Sequence, residues 1–377
     1  MRILALEPYF GGSHKAFLKG WMQHSRHEIR AVTMSARFWK WRMQGGAVTL
    51  ARKTEEALAE GFRPDLVVAT SMVNLPAYLA LVRRSLGDVP VLLYFHENQL
   101  TYPLKEGAER DFTYGYINYL SALAADRVVF NSQFHYDEFV RALPALLRVF
   151  PDYTHLQTVS RIRAKSEVLH LGIDLRAHDE YRDVRTPKLW GAGRAVPTIL
   201  WNHRWEYDKN PEAFFRVLNR VDDTDHRFKL ILAGEHFREQ PPAFEQAFRR
   251  YSDRILHYGY AEDFAEYSQL LHRADIVIST AIHEFFGIAI MESIYCGCHP
   301  LLPRRLTYPE LIPESLQRPL LHAPVLYDDD EHLFRILLSI LRGEDRPLPE
   351  NTLREIPGHL DWSIQGEAYD SLVEDSV

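Results

Sequence analysis

The chain has 377 residues, 46% apolar and 25% charged, with 44 Lys plus Arg against 51 Asp plus Glu and a formal net charge of −7. This balance excludes disordered, collagen-like and coiled-coil architectures and leaves a nucleic-acid partner only a local basic patch to bind. Two cysteines, Cys296 and Cys298, are too few for a disulfide scaffold, and no run approaches the ~20 apolar residues of a membrane span, so a cytoplasmic protein without a membrane partner is expected.

A single core rarely grows past ~250–300 residues, so two domains are expected. In chain order, short apolar runs at 2–6, 29–33, 66–69, 91–95, 127–130 and 166–170 read as strands of the first half. Runs at 198–201, 229–233, 255–258, 276–279 and 299–302 read as strands of the second. Helical patterns fill the gaps, as at 15–24, 74–85, 110–125, 211–221 and 264–274. Most strands are solid apolar blocks, the mark of parallel strands covered on both faces. Two doubly wound α/β domains follow. The polar, aperiodic stretch RAHDEYRDVRTPKLWGAGRAV sets a first domain at 1–175, a linker at 176–197 and a second domain from 198. A second flexible stretch is expected at 343–350.

Three motifs follow strands. The first reads Glu7-Pro-Tyr-Phe-Gly-Gly-Ser-His14. Glycines at a strand-to-helix turn let backbone N–H groups approach a phosphate, although a plain turn capped by Ser13 accounts for Gly11 and Gly12 as well. The second, Trp201-Asn-His-Arg-Trp-Glu-Tyr-Asp-Lys-Asn-Pro211, places Arg204 and Lys209 at a strand's carboxyl end. Doubly wound sheets bind ligands there, and two cations suit a diphosphate. The competing reading is a solvated loop whose charges pair with Glu206 and Asp208. The third is His283-Glu-Phe-Phe-Gly-Ile-Ala-Ile-Met-Glu-Ser-Ile-Tyr-Cys-Gly297. Glu284 falls in a strand-exit loop, Gly287 turns the chain into an apolar helix, and Glu292 lies one to two turns inside it. Carboxylates so placed can bind sugar hydroxyls, while N–H groups at the helix start face an anion. An exposed helix position fits Glu292 poorly, because Ile288, Ile290, Met291 and Ile294 surround it and a buried carboxylate needs partners.

From Arg30 to Lys53 the chain carries Arg30, Arg37, Lys40, Arg42, Arg52 and Lys53 with no acid, interleaved with Phe38, Trp39 and Trp41. Residues 141–165 add five cations against one acid, Asp152. Such runs can track an RNA backbone and stack on its bases, or form a solvated face with the aromatics folded inward. Cys296-Gly-Cys298 with His299 lacks a second ligand pair, so no metal site is expected.

HEFFGIAIMES resembles the donor-site signature of retaining glycosyltransferase family 4 (GT4), a Glu, seven residues, then a Glu. The Arg204 and Lys209 loop is similar to that family's phosphate-binding pair, HLGID (170–174) to the usual end of its first domain, and Asn131-Ser132 also fits. EPYFGGSHKAF, MSARFWKWRM, YFHENQLTYP and NSQFHYDEF look like the tRNA-queuosine mannosyltransferase group within it. The resemblance implies a GT-B fold, two Rossmann-like domains facing an inter-domain cleft, with acceptor on the first and nucleotide on the second (198–361). Residues 362–377 would pack back on the first domain. Members move mannose from GDP-mannose onto queuosine in tRNA(Asp) with retention.

Carried over by residue, Arg204 and Lys209 would neutralise the diphosphate, Glu284 hold the transferred sugar, and Glu292 grip the ribose beyond the Gly287 turn. Gly11 and Gly12 would lie against the diphosphate and His96 close to the reacting sugar. Arg37, Trp39, Lys40, Trp41, Arg42 and Asn98 would serve the RNA acceptor. No cofactor, metal or obligate protein partner is implied. His283 takes a variable place, and His203 and Trp205 flank Arg204 where the family has small or apolar residues. The alternatives are a GT-B enzyme acting on a small-molecule or lipid-linked acceptor, a non-catalytic nucleotide-sugar or RNA-binding protein, and a glycosidase using Glu284 and Glu292.

Overall fold

The strands are β1 (Arg2–Phe10), β2 (Glu28–Ser35), β3 (Leu66–Thr70), β4 (Val91–Phe95), β5 (Arg127–Phe130), β6 (Ser166–Val168), β7 (Thr198–Asn202), β8 (Lys229–Ala233), β9 (Ile255–Gly259), β10 (Ile276–Ile278), β11 (His299–Pro303) and β12 (Leu326–Tyr327). They come from a computed structural model that describes residues 1–104, 107, 109–182, 196–235 and 241–377. Most of the expected linker, 183–195, lies outside the described residues. The chain divides into a unit of Met1–Ile173 with Trp362–Val377 and a unit of Asp174–Asp361.

The first unit holds a sheet in the order β2-β1-β3-β4-β5-β6, the second a sheet in the order β12-β11-β10-β7-β8-β9. Neighbouring strands run parallel in both, from Leu4 opposite Val67 to Ile276 opposite Ile199. Each order reverses direction once, between β1 and β3 and between β7 and β10, and ligands of doubly wound sheets bind outside such a point. Both sheets are covered on two faces, as the solid apolar runs require: every residue of β3, β4, β7 and β11 is buried. Each fully buried Leu, Ile or Phe in these strands stabilises its unit by roughly 1.5–3 kcal/mol.

β1 continues beyond the apolar run to Phe10, with a register shift against β2 between Glu7 and Phe10. The interruption at Glu7-Pro8 hid this extension. The helix Trp362–Glu374 belongs to the first unit. Gly20 and Gly172 make room for its Trp362, since a Cβ at either would stand 2.0 or 2.3 Å from the indole. Tyr369 then donates to the Tyr94 hydroxyl at 2.8 Å. The stretch 343–350 is not a flexible linker. Gly343 (φ 72°) ends the helix Asp330–Arg342, the Arg346 carbonyl accepts from Ala323 at 2.6 Å, and Leu348 is buried. Among the described residues no helix is long and apolar enough to cross a membrane.

Candidate active site

The loops after β7 and β10 leave the second sheet at its reversal point and are joined there. Ile282 N–H donates to the Asp208 carbonyl at 2.9 Å, and the Thr280 hydroxyl donates to the carbonyls of Lys209 and Asn210 at 2.9 and 3.0 Å. Asn210 (φ 52°) caps the helix Pro211–Asp222, which Pro211 opens. Trp205 anchors the loop by stacking on Phe244 at 4.0 Å. Gly234 lets the His203 carbonyl pass, because a Cβ there would lie 1.8 Å from that oxygen. The bulky residues flanking Arg204 are therefore part of the loop's support.

Lys209 Nζ is 2.8 Å from the His283 carbonyl, 3.2 Å from the Glu284 carboxylate and 3.1 Å from that of Asp208. Arg204 lies 3.5 Å from Glu206 with its side chain half exposed. The pairings of the competing solvated-loop reading are thus present, but the loop's second half is buried: Asp208 is 0% and Lys209 6% exposed. Burial opposes the Lys209 charge, but Glu284 and Asp208 outweigh it and hold its pKa above the ordinary lysine range. Burial likewise opposes ionisation of Glu284, and Lys209 with the nearby imidazoles prevails, keeping the carboxyl below the ordinary range. A carboxyl so held does not supply the protonated acid of a glycosidase pair. Burial, then the Lys209 charge, lowers His203 to about 3 and His283 to about 4, so both rings are neutral near pH 7.

Gly287 (φ 91°) turns the chain into the helix Ile288–Tyr295 and faces the Tyr308 ring, which a Cβ would meet at 3.2 Å. Glu292 sits in the second turn of that helix, partly buried, and accepts from the Tyr267 hydroxyl at 2.6 Å. That hydroxyl in turn accepts from Asn202 Nδ2 at 2.9 Å, and His178 Nε2 stands 3.8 Å from Glu292. Tyr267 and His178 carried no sequence signal, and Asn202, inside the second motif, gave no sign of its role.

In the first unit, Gly11 and Gly12 open the helix Gly12–His24. Gly11 is the N-cap, with no side-chain capping bond, so Ser13 does not play the capping role. A Cβ on Gly11 would lie 2.4 Å from that of Ala36, whereas Gly12 (φ 49°) faces open space. His96 follows β4, and burial, then His14 and His135, lowers its pKa well below the ordinary imidazole value. Glu7 and His14, the two ends of the glycine motif, meet beside it: His14 Nδ1 is 2.9 Å from Glu7 Oε2. Asn98 is fully buried, its Oδ1 accepting from Leu100 N and Thr101 N at 3.0 and 2.9 Å. It shapes the turn after β4 and presents no atom to the surface for an RNA acceptor.

The basic run spans β2 and most of the helix Trp39–Ala59. Only Trp39 folds inward, against Tyr114 at 5.0 Å; Phe38 is 77% and Trp41 61% exposed. Arg37 and Lys40 are exposed, and Arg42 donates to the Ser35 carbonyl at 3.0 Å. Arg30 and Arg52 pair with Glu60 and Glu56, and Lys53 donates to the Thr33 carbonyl. In the second run Lys165 closes on the Leu123 carbonyl, while Arg148, Arg161 and Arg163 are exposed. Both cysteines are buried, and the Cys298 thiol donates to the Leu271 carbonyl at 3.2 Å.

Comparisons with known proteins show the family and the fold. Residues 2–173 match the family model described as tRNA-queuosine alpha-mannosyltransferase N-terminal, and 191–325 that of glycosyl transferases group 1. A Drosophila melanogaster tRNA-queuosine alpha-mannosyltransferase is 34% identical over 315 residues, 83% of this chain and 82% of that protein. A GDP-mannose-dependent alpha-(1-6)-phosphatidylinositol dimannoside mannosyltransferase of Mycobacterium tuberculosis is 29% identical over 40% of this chain and 39% of its own. Sucrose-phosphate synthase from Thermosynechococcus elongatus shares the fold, with a TM-score of 0.73, 14% identity and coverage of 100% and 99% of the two chains. Anabaena HepE in complex with UDP has a TM-score of 0.69, with 15% identity and full coverage of both chains. With two parallel six-stranded sheets, a glycosyl-transferase second half and a fly relative matched over most of both lengths, this chain is a GT-B glycosyltransferase belonging to the tRNA-queuosine alpha-mannosyltransferase family.

Proposed function

We propose that this chain transfers mannose from GDP-mannose to queuosine in tRNA(Asp) with retention of anomeric configuration. One observation carries the reading: the buried Lys209–Glu284 pair, with Arg204 on the same loop, sits where the second sheet reverses. The membership of the chain, with a fly relative named for tRNA-queuosine mannosylation, supports the acceptor.

Arg204 and Lys209 stabilise the departing diphosphate as the sugar bond loosens to an oxocarbenium-like state. Preorganised charge of this kind needs no rearrangement when the leaving group develops. Glu284 holds the sugar and Glu292 the ribose, with Gly287 bringing backbone close to the donor. A leaving phosphate oxygen takes the acceptor hydroxyl's proton, and the new bond forms on the same face. Gly11 and Gly12 serve the diphosphate, and His96 the reacting sugar. Arg37, Lys40, Trp41 and Arg42 form the RNA side; Trp39 supports them from within by packing on Tyr114, and Asn98 by shaping its turn. No metal or other cofactor is assigned to any step, and no protein partner is required. We assign the reaction to the cytoplasm on the strength of the proposed tRNA acceptor.

The test incubates the protein with GDP-mannose and queuosine-containing tRNA and weighs the released nucleosides. A mannosylated queuosine is expected. Turnover of GDP-mannose with a lipid or small-molecule acceptor and none with tRNA would replace the acceptor, and no turnover at all would make the protein a binder.

A further inference from the structure

Glu7, His14 and His96 converge in the first unit, at the carboxyl-terminal ends of β1 and β4, with ligand atoms within 4.8 Å of one another. Glu7 is 1% and His14 5% exposed. The Glu7 carboxylate takes two donors: the Tyr9 N–H at 2.7 Å on one oxygen, and His14 Nδ1–H at 2.9 Å on the other. The second of these bonds sets the His14 tautomer and ring plane. That ring lies 4.4 Å, centroid to centroid, from the ring of His96. Phe17 and Tyr94 close on His96 edge-on at 4.7 and 4.9 Å, and Asn131 Nδ2 donates to its carbonyl at 2.9 Å. His96 Nε2 is buried and has no protein hydrogen-bond partner. A carboxylate buried as deeply as that of Glu7 needs partners, and the Tyr9 and His14 donors supply them. Here it lies where the first sheet reverses, one ring away from an imidazole whose free nitrogen the protein does not occupy.

We propose that Glu7 and His14 are positioning residues for His96: the carboxylate clamps the His14 ring, and that ring fixes the orientation of the His96 imidazole for sugar transfer. The inference rests on the reading of His96 as the histidine beside the reacting sugar. Glu7 and His14 touch no substrate in this scheme; they act through His96. Three buried ligand atoms at this spacing also suit a divalent cation of the His and carboxylate type, a different role for the same residues.

The test is a mutant cycle on kcat and KM for transfer, run on the full chain with GDP-mannose and tRNA. Glu7→Gln and His14→Asn are each expected to lower kcat about tenfold with KM within a factor of two. The double variant Glu7→Gln/His96→Ala is expected to be no slower than His96→Ala alone, because a positioning residue has nothing to act on once the ring is gone. If Glu7→Gln does not fold, His14→Asn makes the same comparison, since its amide keeps a donor for Glu7 and removes only the ring. Losses that multiply would overturn the proposal, as would a Glu7→Gln enzyme with full kcat beside an impaired His96→Ala. Full turnover by His96→Ala would sink the reading of His96, and the inference with it. One equivalent of zinc retained on the purified protein and lost in His14→Asn would make the three residues a metal centre and overturn positioning.

Discussion

Lys209 holds its ammonium 3.2 Å from the Glu284 carboxylate, with the two side chains only 8% and 20% exposed. Burial works against both charges, and their mutual field wins. The cation is therefore fixed in place before any diphosphate arrives. Replacing Lys209 by Met should lower kcat by about 10²–10³, the cost of removing one preorganised charge at a leaving group. A variant with wild-type kcat would refute the role.

The same pair makes a titration prediction. Glu284 has a folded pKa below its unfolded value near ~4.3, so its contribution is present above that pH and is lost as pH falls through the folded value. Lys209 is raised, so its contribution is present below ~10.4 and is lost as pH climbs through the folded value. In Lys209→Met the burial of Glu284 is opposed only by the nearby imidazoles of His203 and His283. Its carboxyl should then titrate above the ordinary glutamate range in a ¹³C NMR titration, and an unshifted value would show that Lys209 is not what holds it down.

His203 and His283, held near 3 and 4, give the acid side a second signature. Both folded values lie below the unfolded ~6.5, so the stability that comes with neutral rings is present above ~6.5 and is lost as pH falls toward the folded values. Between pH ~6 and ~5 each ring should reduce unfolding free energy by up to about 1.4 kcal/mol per pH unit. Urea midpoints should fall steeply over that window, and His203→Asn should reduce the slope. An equal slope in the variant would remove His203 from the account.

The sheets were largely legible because parallel strands buried on both faces are written as solid apolar runs; β4, β5 and β8 begin and end where those runs do. β12 has two residues, too few for any period, and is defined by pairing with β11. The cations and acids of the second unit stood out because they sit in loops directly after such runs. Their supports did not. Tyr267 reaches Glu292 from a helix 25 residues away, and Trp205 looked like an oddity until Phe244 met it. Asn98 shows the opposite error: a polar residue in a recognised segment whose carbonyl is spent on its own turn.

Tyr267→Phe removes the hydroxyl that donates to Glu292 at 2.6 Å and accepts from Asn202. Asn202 keeps two other acceptors, the Ala289 carbonyl and the Ser293 hydroxyl, so the fold should survive. A hydrogen bond to a charged group contributes about 1.5–3 kcal/mol. Loss of the donor frees Glu292 and should raise KM for the nucleotide sugar about tenfold with a smaller change in kcat, the pattern of lost binding shared by ground and transition states. A fall in kcat at constant KM would place Tyr267 in the chemical step instead.

Arg37 and Lys40 are the exposed cations closest in sequence to the exposed rings of Phe38 and Trp41, whereas Arg30 and Arg52 are engaged with acids. The first pair can follow an RNA backbone while the rings stack on its bases. Arg37→Glu with Lys40→Glu should weaken tRNA binding and reduce the slope of log affinity against log salt by about one for each phosphate left without its cation. Trp41→Ala should weaken binding by removing a stacking ring, at a cost of about 1–3 kcal/mol, and leave the salt slope unchanged. Hydrolysis of the donor in the absence of tRNA should be untouched by all three changes, since they lie outside the unit that carries Lys209 and Glu284. Equal loss of donor hydrolysis and tRNA binding would mean that the substitutions disturb the first unit as a whole, and the RNA-binding face would have to be sought at Arg148, Arg161 and Arg163.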